Sequence, residues 1–298
     1  MSVKVTNLSK FYGKQKAVDN ISFEISSGEI VGFLGPNGAG KSTTMKMITG
    51  FVEADKGQVT VSGIDSLKQN SLAKQKIGYL PENNPLYADM YVKEYLTFVA
   101  NIYKIKNVKA RVAEMIEKTG LQREQHKKIE QLSKGYKQRI GIAQALIHDP
   151  EVLILDEPTS GLDPNQLEDI RALIKELGKE KTVILSTHIM QEVEAMCQRV
   201  IILNKGKIVA DNKVSQLKSN SNKNVVVKFK LKAKKAKDLQ MDHVKFEDLA
   251  GGYIRASSKN SDDLVAQIFG YCVKQGFVLH HLEQENFSLE EVFKQLTK

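Results

Sequence analysis

The sequence predicts an α/β core with a largely parallel sheet, a mainly helical insertion within that core, and a small α+β domain after it. Three observations carry this reading. Through the first two-thirds of the chain, short apolar runs of strand length alternate with helix-spaced segments, the pattern of parallel strands joined by crossover helices. From about Pro85 to His148 the chain is rich in Lys and Glu, with apolar residues at helical spacing. Beyond Asp211 the character changes to a polar stretch and then to strict alternation.

Met1 to Leu8 alternates apolar and polar residues like a strand. Ile30 to Leu34 is an apolar strand that runs into glycines, and helical spacing follows from Lys41 to Ile48 and stops at Gly50. Val152 to Leu155 and Val183 to Ser186 read as buried strands, the latter followed by a helix from about Ile189 to Met196. Val200 to Leu203, the turn Asn204-Lys205-Gly206 and Ile208 to Ala210 read as a hairpin. Ser215 to Asn224 is rich in Ser, Lys and Asn and reads as a linker. After it Val225, Val227, Phe229 and Leu231 alternate with Val226, Lys228, Lys230 and Lys232, one face inward and one wet. A strand at Tyr253 to Ala256, a helix over about 262–275, a strand at Phe277 to Leu282 and a helix at Leu289 to Leu296 complete the chain. The expected organisation is a domain over 1–215, with its helical insertion at about 83–150, and an accessory domain over 216–298.

The 298 residues suffice for one large core or two smaller ones. No apolar run reaches the ~18 residues that span a bilayer, and the N-terminus lacks the basic start and long apolar stretch of a signal peptide. The expected location is therefore cytoplasmic. Cys197 and Cys272 are far apart in apolar helical patterns and read as reduced, buried thiols. A net charge of +9 admits nucleic acid, an anionic membrane surface or an anionic ligand as partner, and equally a well-solvated surface.

The segment Gly35-Pro36-Asn37-Gly38-Ala39-Gly40-Lys41-Ser42, followed by Thr43, fits the phosphate-binding loop. Glycines let the backbone fold tightly, so that successive N–H groups face one phosphate. The helix opening near Lys41 adds its positive dipole end. Lys41 is expected on the β- and γ-phosphates and the Ser42 hydroxyl on Mg²⁺. The strand Val152 to Leu155 ends in Asp156 and Glu157. Mg²⁺ keeps several waters and takes few protein ligands. Asp156 is expected to hold it, and Glu157 to polarise the water that attacks the γ-phosphate.

With these two motifs placed, the chain over 1 to about 215 resembles the nucleotide-binding subunits of ABC transporters. It looks most like the ABC-2-type branch, and particularly the gliding-motility-associated ATP-binding subunits, through the run Ile77-Gly78-Tyr79-Leu80-Pro81-Glu82-Asn83-Asn84-Pro85-Leu86-Tyr87. The resemblance implies a P-loop NTPase core with a β-subdomain and a helical subdomain. It implies ATP and Mg²⁺ as cofactors, a head-to-tail homodimer, and an integral membrane permease as partner, with the chain peripheral on the inner face of the cell membrane.

Roles carry over at matching positions. Tyr12 sits where the family stacks an aromatic ring on adenine. Leu132-Ser133-Lys134-Gly135-Tyr136-Lys137-Gln138-Arg139 matches the signature motif, whose Ser133 and Gly135 are implied to contact the γ-phosphate held by the opposite subunit. Lys134 and Tyr136 depart from the usual Gly and Gln. Ser160-Gly161-Leu162-Asp163 matches the loop that couples the two sites, and His188 the histidine on the γ-phosphate. Glu82 stands where most of the family has Gln touching Mg²⁺ and the attacking water; a carboxylate also binds Mg²⁺ but adds negative charge there.

The resemblance further implies that Asn83 to Tyr91 receives the membrane partner, and that the C-terminal domain is the small accessory domain of many ABC-2-type subunits. Its basic run, Lys228 to Lys237, suits a solvated strand face, anionic lipid headgroups or a partner. A soluble ABC ATPase acting on ribosomes or DNA is the rival class. Such proteins usually carry two cassettes in one chain, or a long coiled coil within the cassette, and neither feature occurs here, so no nucleic acid is expected as partner.

Overall fold

The computed structural model describes residues 2–221, 225–232, 234–258 and 263–285, together with 290, 293, 296 and 297. The chain divides into two compact units, Met1–Val214 and Ser215–Leu296. In order, the first runs β1 (Val3–Tyr12), β2 (Gln15–Ile25), β3 (Ile30–Leu34), α1 (Lys41–Ile48), β4 (Lys56–Val61), β5 (Ile64–Asp65), α2 (Asn70–Gln75), β6 (Ile77–Leu80), α3 (Val92–Ile102), α4 (Val108–Lys118), α5 (Lys134–Leu146), β7 (Val152–Asp156), α6 (Pro164–Leu177), β8 (Thr182–Thr187), α7 (Met190–Met196), β9 (Arg199–Asn204) and β10 (Lys207–Lys213).

A six-stranded sheet in the order β10-β9-β3-β8-β7-β6 forms the centre of this unit. β3 lies parallel to β8 and β9, and β7 parallel to β6 and β8, while β10 closes the edge antiparallel to β9. Every residue of β3, β7 and β8 is buried, which is why these strands read as unbroken apolar runs rather than alternating ones. The β9–β10 turn takes Lys205 and Gly206 through positive φ, as a two-residue hairpin turn demands.

A second, antiparallel sheet runs β2-β1-β4-β5. Its apolar residues Val3, Val5, Ile21 and Phe23 share one core with Val31, Phe33, Ile154 and Ile201 of the main sheet. The Phe23 and Phe33 rings, 5.2 Å apart, mark the contact between the sheets. Between β6 and β7 the helices α3, α4 and α5 bury Leu96, Val99, Val112, Met115, Ile116 and Ile140. Helix starts are chemically specified. Asn107 accepts from the Ala110 N–H, Ser133 from that of Tyr136, and Asp163 from that of Gln166, with Pro164 in the first turn of α6.

The second unit contains β11 (Val225–Leu231), β12 (Val244–Asp248), β13 (Ile254–Ser258), α9 (Leu264–Lys274) and β14 (Leu279–Glu285), preceded by α8 (Val214–Ser221). Its sheet has the order β12-β13-β11-β14 and is antiparallel throughout. Val227, Phe229 and Leu231 meet Leu264, Ile268 and Cys272 of α9 in its core. Two of the outward lysines are engaged: Lys228 pairs with Glu283 at 3.2 Å, and both Lys228 and Lys230 lie over the Tyr253 ring.

The segment expected as a polar linker over 215–224 is corrected in its first part, which is helical. Val214 and Leu217 are buried, and that pair fixes one side of a turn whose other residues are polar. The helix expected at 289–296 falls largely outside the described residues. Both cysteines are free and buried, as read from the sequence, and burial pushes the Cys197 thiol far above its usual range.

Candidate functional site

The loop 35–40 joins the C-terminal end of β3 to α1. Gly40 precedes the helix at φ +106°, and α1 ends where Gly50 turns left-handed. Within the loop the Ala39 N–H donates to Pro36 O at 3.1 Å, and the Thr44 N–H to Gly40 O at 2.9 Å. Among the described residues, no hydrogen bond uses the N–H groups of Gly38, Gly40, Lys41, Ser42 or Thr43. The bend of the loop and the open turn of α1 thus leave a set of unpaired donors on residues that line one cavity, a setting suited to an anion.

Lys41 is buried beneath this loop. Its Nζ donates to the carbonyl oxygens of Gly35 at 2.7 Å and Pro36 at 3.4 Å, and lies 3.7 Å from the Glu157 carboxylate. Burial pushes the ammonium below its ordinary 10.5, against the pull of Glu157, Asp156 and Glu82. Burial likewise pushes Glu157 above its ordinary 4.5, opposed by His188 and Lys41. Glu157 follows the end of β7 at φ +51°, and its N–H is tied to Ser186 O of β8 at 2.9 Å. That kink turns the carboxylate to His188 Nδ1, 3.0 Å from both carboxylate oxygens.

A cavity of about 520 Å³ gathers these groups. Tyr12, Asn37, Gly38, Ala39, Gly40, Lys41, Ser42, Thr43, Glu82, Glu157 and His188 all line it. Gly35 and Pro36 sit beneath, through the Lys41 contacts. Tyr12 is 51% exposed at the tip of the β1–β2 turn, with Lys10 Nζ 5.7 Å from its ring centre. The sequence did not single out Gln15 and Ala17, and it gave Ser160 only as part of the coupling loop; all three line the cavity.

Asp156 is buried behind the rim, and its Oδ1 has no hydrogen-bond partner. The Tyr79 hydroxyl and Ser186 Oγ are also buried without partners. Ser186 is the neighbour of Asp156 across β7–β8, and burial together with the charges of Asp156 and Glu82 pushes the Tyr79 phenol up. A buried carboxylate oxygen without a donor suits a hard cation. No group of three or more His, Cys, Asp or Glu stands ready to hold a metal alone among the described residues. The oxygens of Ser42, Asp156 and Glu82 fit an ion that keeps waters and shares phosphate oxygens.

Ser133, Gly135 and Asp163 are not part of this cavity. Gly135 lines a separate one of about 470 Å³ with Gly120, Gln122, Arg123, Tyr136, Arg139, Gln166 and Asp169. Ser133 is exposed at the start of α5, and Asp163 caps α6 through the Gln166 N–H at 3.0 Å. A further residue missed by sequence reasoning is Glu192, wholly buried in α7. It accepts the hydroxyls of Thr159 and of Thr187, the latter at 2.5 Å, and so anchors the segments that carry Glu157 and His188. Its signal is an acid in phase with the apolar Met190, Val193 and Met196.

A glycine loop from a parallel strand into a helix, a buried lysine and a strand-end acid pair define a nucleoside-triphosphate-binding α/β ATPase. The family model described as ABC transporter matches residues 18–160. The bacitracin transport ATP-binding protein BcrA of Bacillus licheniformis is 40% identical over 223 residues, covering 74% of this chain and 72% of that protein. The linearmycin resistance ATP-binding protein LnrL of Bacillus subtilis is 44% identical over 211 residues, covering 70% and 68%. Among solved structures, the dimeric, post-hydrolysis ATP-binding cassette MJ0796 bound to ADP and Pi superposes with a TM-score of 0.65 at 29% identity, covering 71% of this chain and 98% of that one. The chain belongs to the ABC transporter family. It is an ATP-binding subunit of such a transporter and an ATPase.

Proposed function

We propose that two copies of this chain close head to tail on MgATP and thereby drive a separate membrane permease, with export as the direction. The observation that carries this is the separation of the two phosphate-facing sets. The cavity at the glycine loop and the one at the start of α5 share no lining residue. ATP on the Gly35–Thr43 loop is then completed by the partner subunit's Ser133 and the partner subunit's Gly135. Tyr12 stacks on adenine, Lys41 leaves the Gly35 and Pro36 carbonyls for the β- and γ-phosphates, and His188 contacts the γ-phosphate. Ser42, Asp156 and Glu82 hold Mg²⁺, which neutralises phosphate charge. Glu157 takes the proton of the attacking water, and the loop ending at Asp163 couples the two sites.

The rate follows the charge states of two buried groups. The ionised fraction of Glu157 falls as pH falls through its raised pKa, so kcat/KM is lost on the acid side with a midpoint above 4.5. Lys41 loses its proton below 10.5, so the alkaline limb moves inward as well. A pH profile of kcat/KM with an acid limb at or below 4.5 argues against Glu157 as the base.

The permease contact proposed for 83–91 is supported by exposed aromatics. Tyr87 and Tyr91 are 56% and 48% exposed, and Tyr87 leans on Tyr95 and Phe98. Asn84 ties this segment to the signature helix, its Nδ2 donating to Lys137 O at 2.9 Å. Among the described residues no helix is long and apolar enough to cross a membrane, so membrane attachment is assigned to the permease. The exposed Lys232, Lys234, Lys235 and Lys237 supply a secondary contact to an anionic membrane surface. The name of a Nod factor export ATP-binding protein of Rhizobium etli, 37% identical over 222 residues, supports export; gliding machinery as the setting rests on the run 77–87.

The test is affinity capture of tagged Glu157→Gln chain from detergent-solubilised membranes with MgATP, read by mass spectrometry. A stoichiometric polytopic membrane protein is expected, and its yield drops in the Tyr91→Arg variant while ATPase activity of the otherwise parent chain stays. Ribosomes or nucleic acid in its place would overturn the transport reading.

A further inference from the structure

We propose that Gln166 is a positioning residue of the second ATP site. Its carboxamide occupies the phosphate-facing groups of the signature turn and is displaced by the γ-phosphate carried on the partner subunit. This rests on the head-to-tail reading above and names how that site is kept ready.

Gln166 lies in the first turn of α6, on the far side of the coupling loop from Glu157. Its Oε1 accepts from the Gly135 N–H at 3.1 Å, and its Nε2 donates to Ser133 Oγ at 3.3 Å. These are the two residues assigned to the partner's nucleotide, and one amide group engages both. The approach is close: a Cβ on Gly135 would stand 2.3 Å from Gln166 Oε1. The backbone of Gln166 is fixed from below, its N–H donating to the Asp163 carboxylate at 3.0 Å. One further tie holds the start of α5 to the segment that leads into α6: Gln138 Nε2 donates to Pro158 O at 3.1 Å. Lys134 Nζ also lies close against Gly161, where a Cβ would stand 2.5 Å from it.

The chemistry explains why an amide suits this place. Gly135 is buried, and a buried N–H without an acceptor is costly. A carboxamide oxygen satisfies it with a neutral bond. A phosphate oxygen makes a charge-assisted bond about twice as strong, so it wins the exchange on arrival. A carboxylate at the same position would compete as an anion and repel the incoming phosphate. The amide therefore sets how much ATP closes the dimer, without touching the ATP bound to its own chain.

The experiment uses the full chain carrying Glu157→Gln, so that ATP persists. Sedimentation velocity gives the ATP concentration for half-maximal dimer, and fluorescence gives affinity for a labelled ATP analogue in dilute chain. Gln166→Leu, which keeps bulk but removes the competing oxygen, should dimerise at about threefold to tenfold less ATP, the range of one neutral hydrogen bond. Gln166→Glu should need at least about tenfold more, because a charged acceptor replaces a neutral one. Both should bind the analogue within about twofold of the parent, as surface changes remote from the loop do.

A residue that merely scaffolds the turn gives the opposite sign. Gln166→Leu would then need as much ATP as the parent or more, which overturns the proposal. Should Gln166→Leu misfold, Gln166→Asn, one methylene too short to reach Gly135, replaces it with the same expected sign. A Glu157→Gln chain that stays monomeric at saturating ATP overturns the head-to-tail reading and this role together. A parent that dimerises while both Gln166 variants match it overturns this role alone.

Discussion

A Glu157→Gln chain is expected to bind ATP as the parent does and to hydrolyse it at least about a hundredfold more slowly, the lower end of what a positioned general base contributes. Gln is isosteric and keeps an oxygen for His188, which lies 3.0 Å from the carboxylate, so the loop geometry survives. It removes the one property the step needs, a basic oxygen able to take a proton from water. It also removes the negative charge 3.7 Å from Lys41, which leaves the lysine no less free to move to phosphate. Phosphate release measured beside nucleotide affinity decides the matter. Unchanged turnover would remove Glu157 from the chemistry, and lost affinity would make it a structural anchor instead.

Gly40→Ala is expected to weaken ATP binding by about thirtyfold or more, from about 2 kcal/mol of strain concentrated in the loop. Two independent features say so. Gly40 sits at φ +106°, a conformation L side chains rarely adopt. A Cβ there would also stand 2.4 Å from the Ala17 carbonyl oxygen, a backbone atom of β2 that cannot step aside as a flexible side chain can. The loop must open to relieve this, and opening turns the N–H groups of Gly38 to Thr43 away from one centre. Titration calorimetry with ATP checks the affinity, and a thermal melt shows whether the strain stays local. Parent-like affinity would mean that the donors do not act as one set.

The parts of the fold most legible in the sequence were those with a single strong cause. β3, β7 and β8 are buried on both faces and so read as continuous apolar runs. The start of α1 is legible because glycines spaced ahead of Lys41 and Ser42 allow the positive φ that the loop needs at Gly38 and Gly40. β11 was legible because it is wet on one face and alternates. The antiparallel sheet was harder to read beyond β1. Pairing of β1 with β2 shifts register after Val5, Leu8 and Lys10, and each shift breaks the period of two. α6 and the short strands β4, β5 and β6 are not among the elements the sequence predicts. α8 reads as linker in the sequence because its polar residues outnumber the two apolar ones that hold it.

The candidate site divides in the same way. The sequence by itself determined which chemical groups the chain owns: a glycine loop with Lys41 and Ser42, an acid pair at a strand end, and a Ser-Lys-Gly turn opening a helix. These are local patterns, and local spacing fixes their geometry. Only the tertiary structure decided which of them meet. Parallel pairing of β3 with β8 and of β7 with β8 brings Lys41, Glu157 and His188 into one cavity, although they arrive on three separate strand ends. The same fold leaves Gly135 in another cavity, under the carboxamide of Gln166. The physical reason is that hydrogen-bond partners across elements are chosen by sheet register and helix packing, and neither is written in the spacing of residues along the chain.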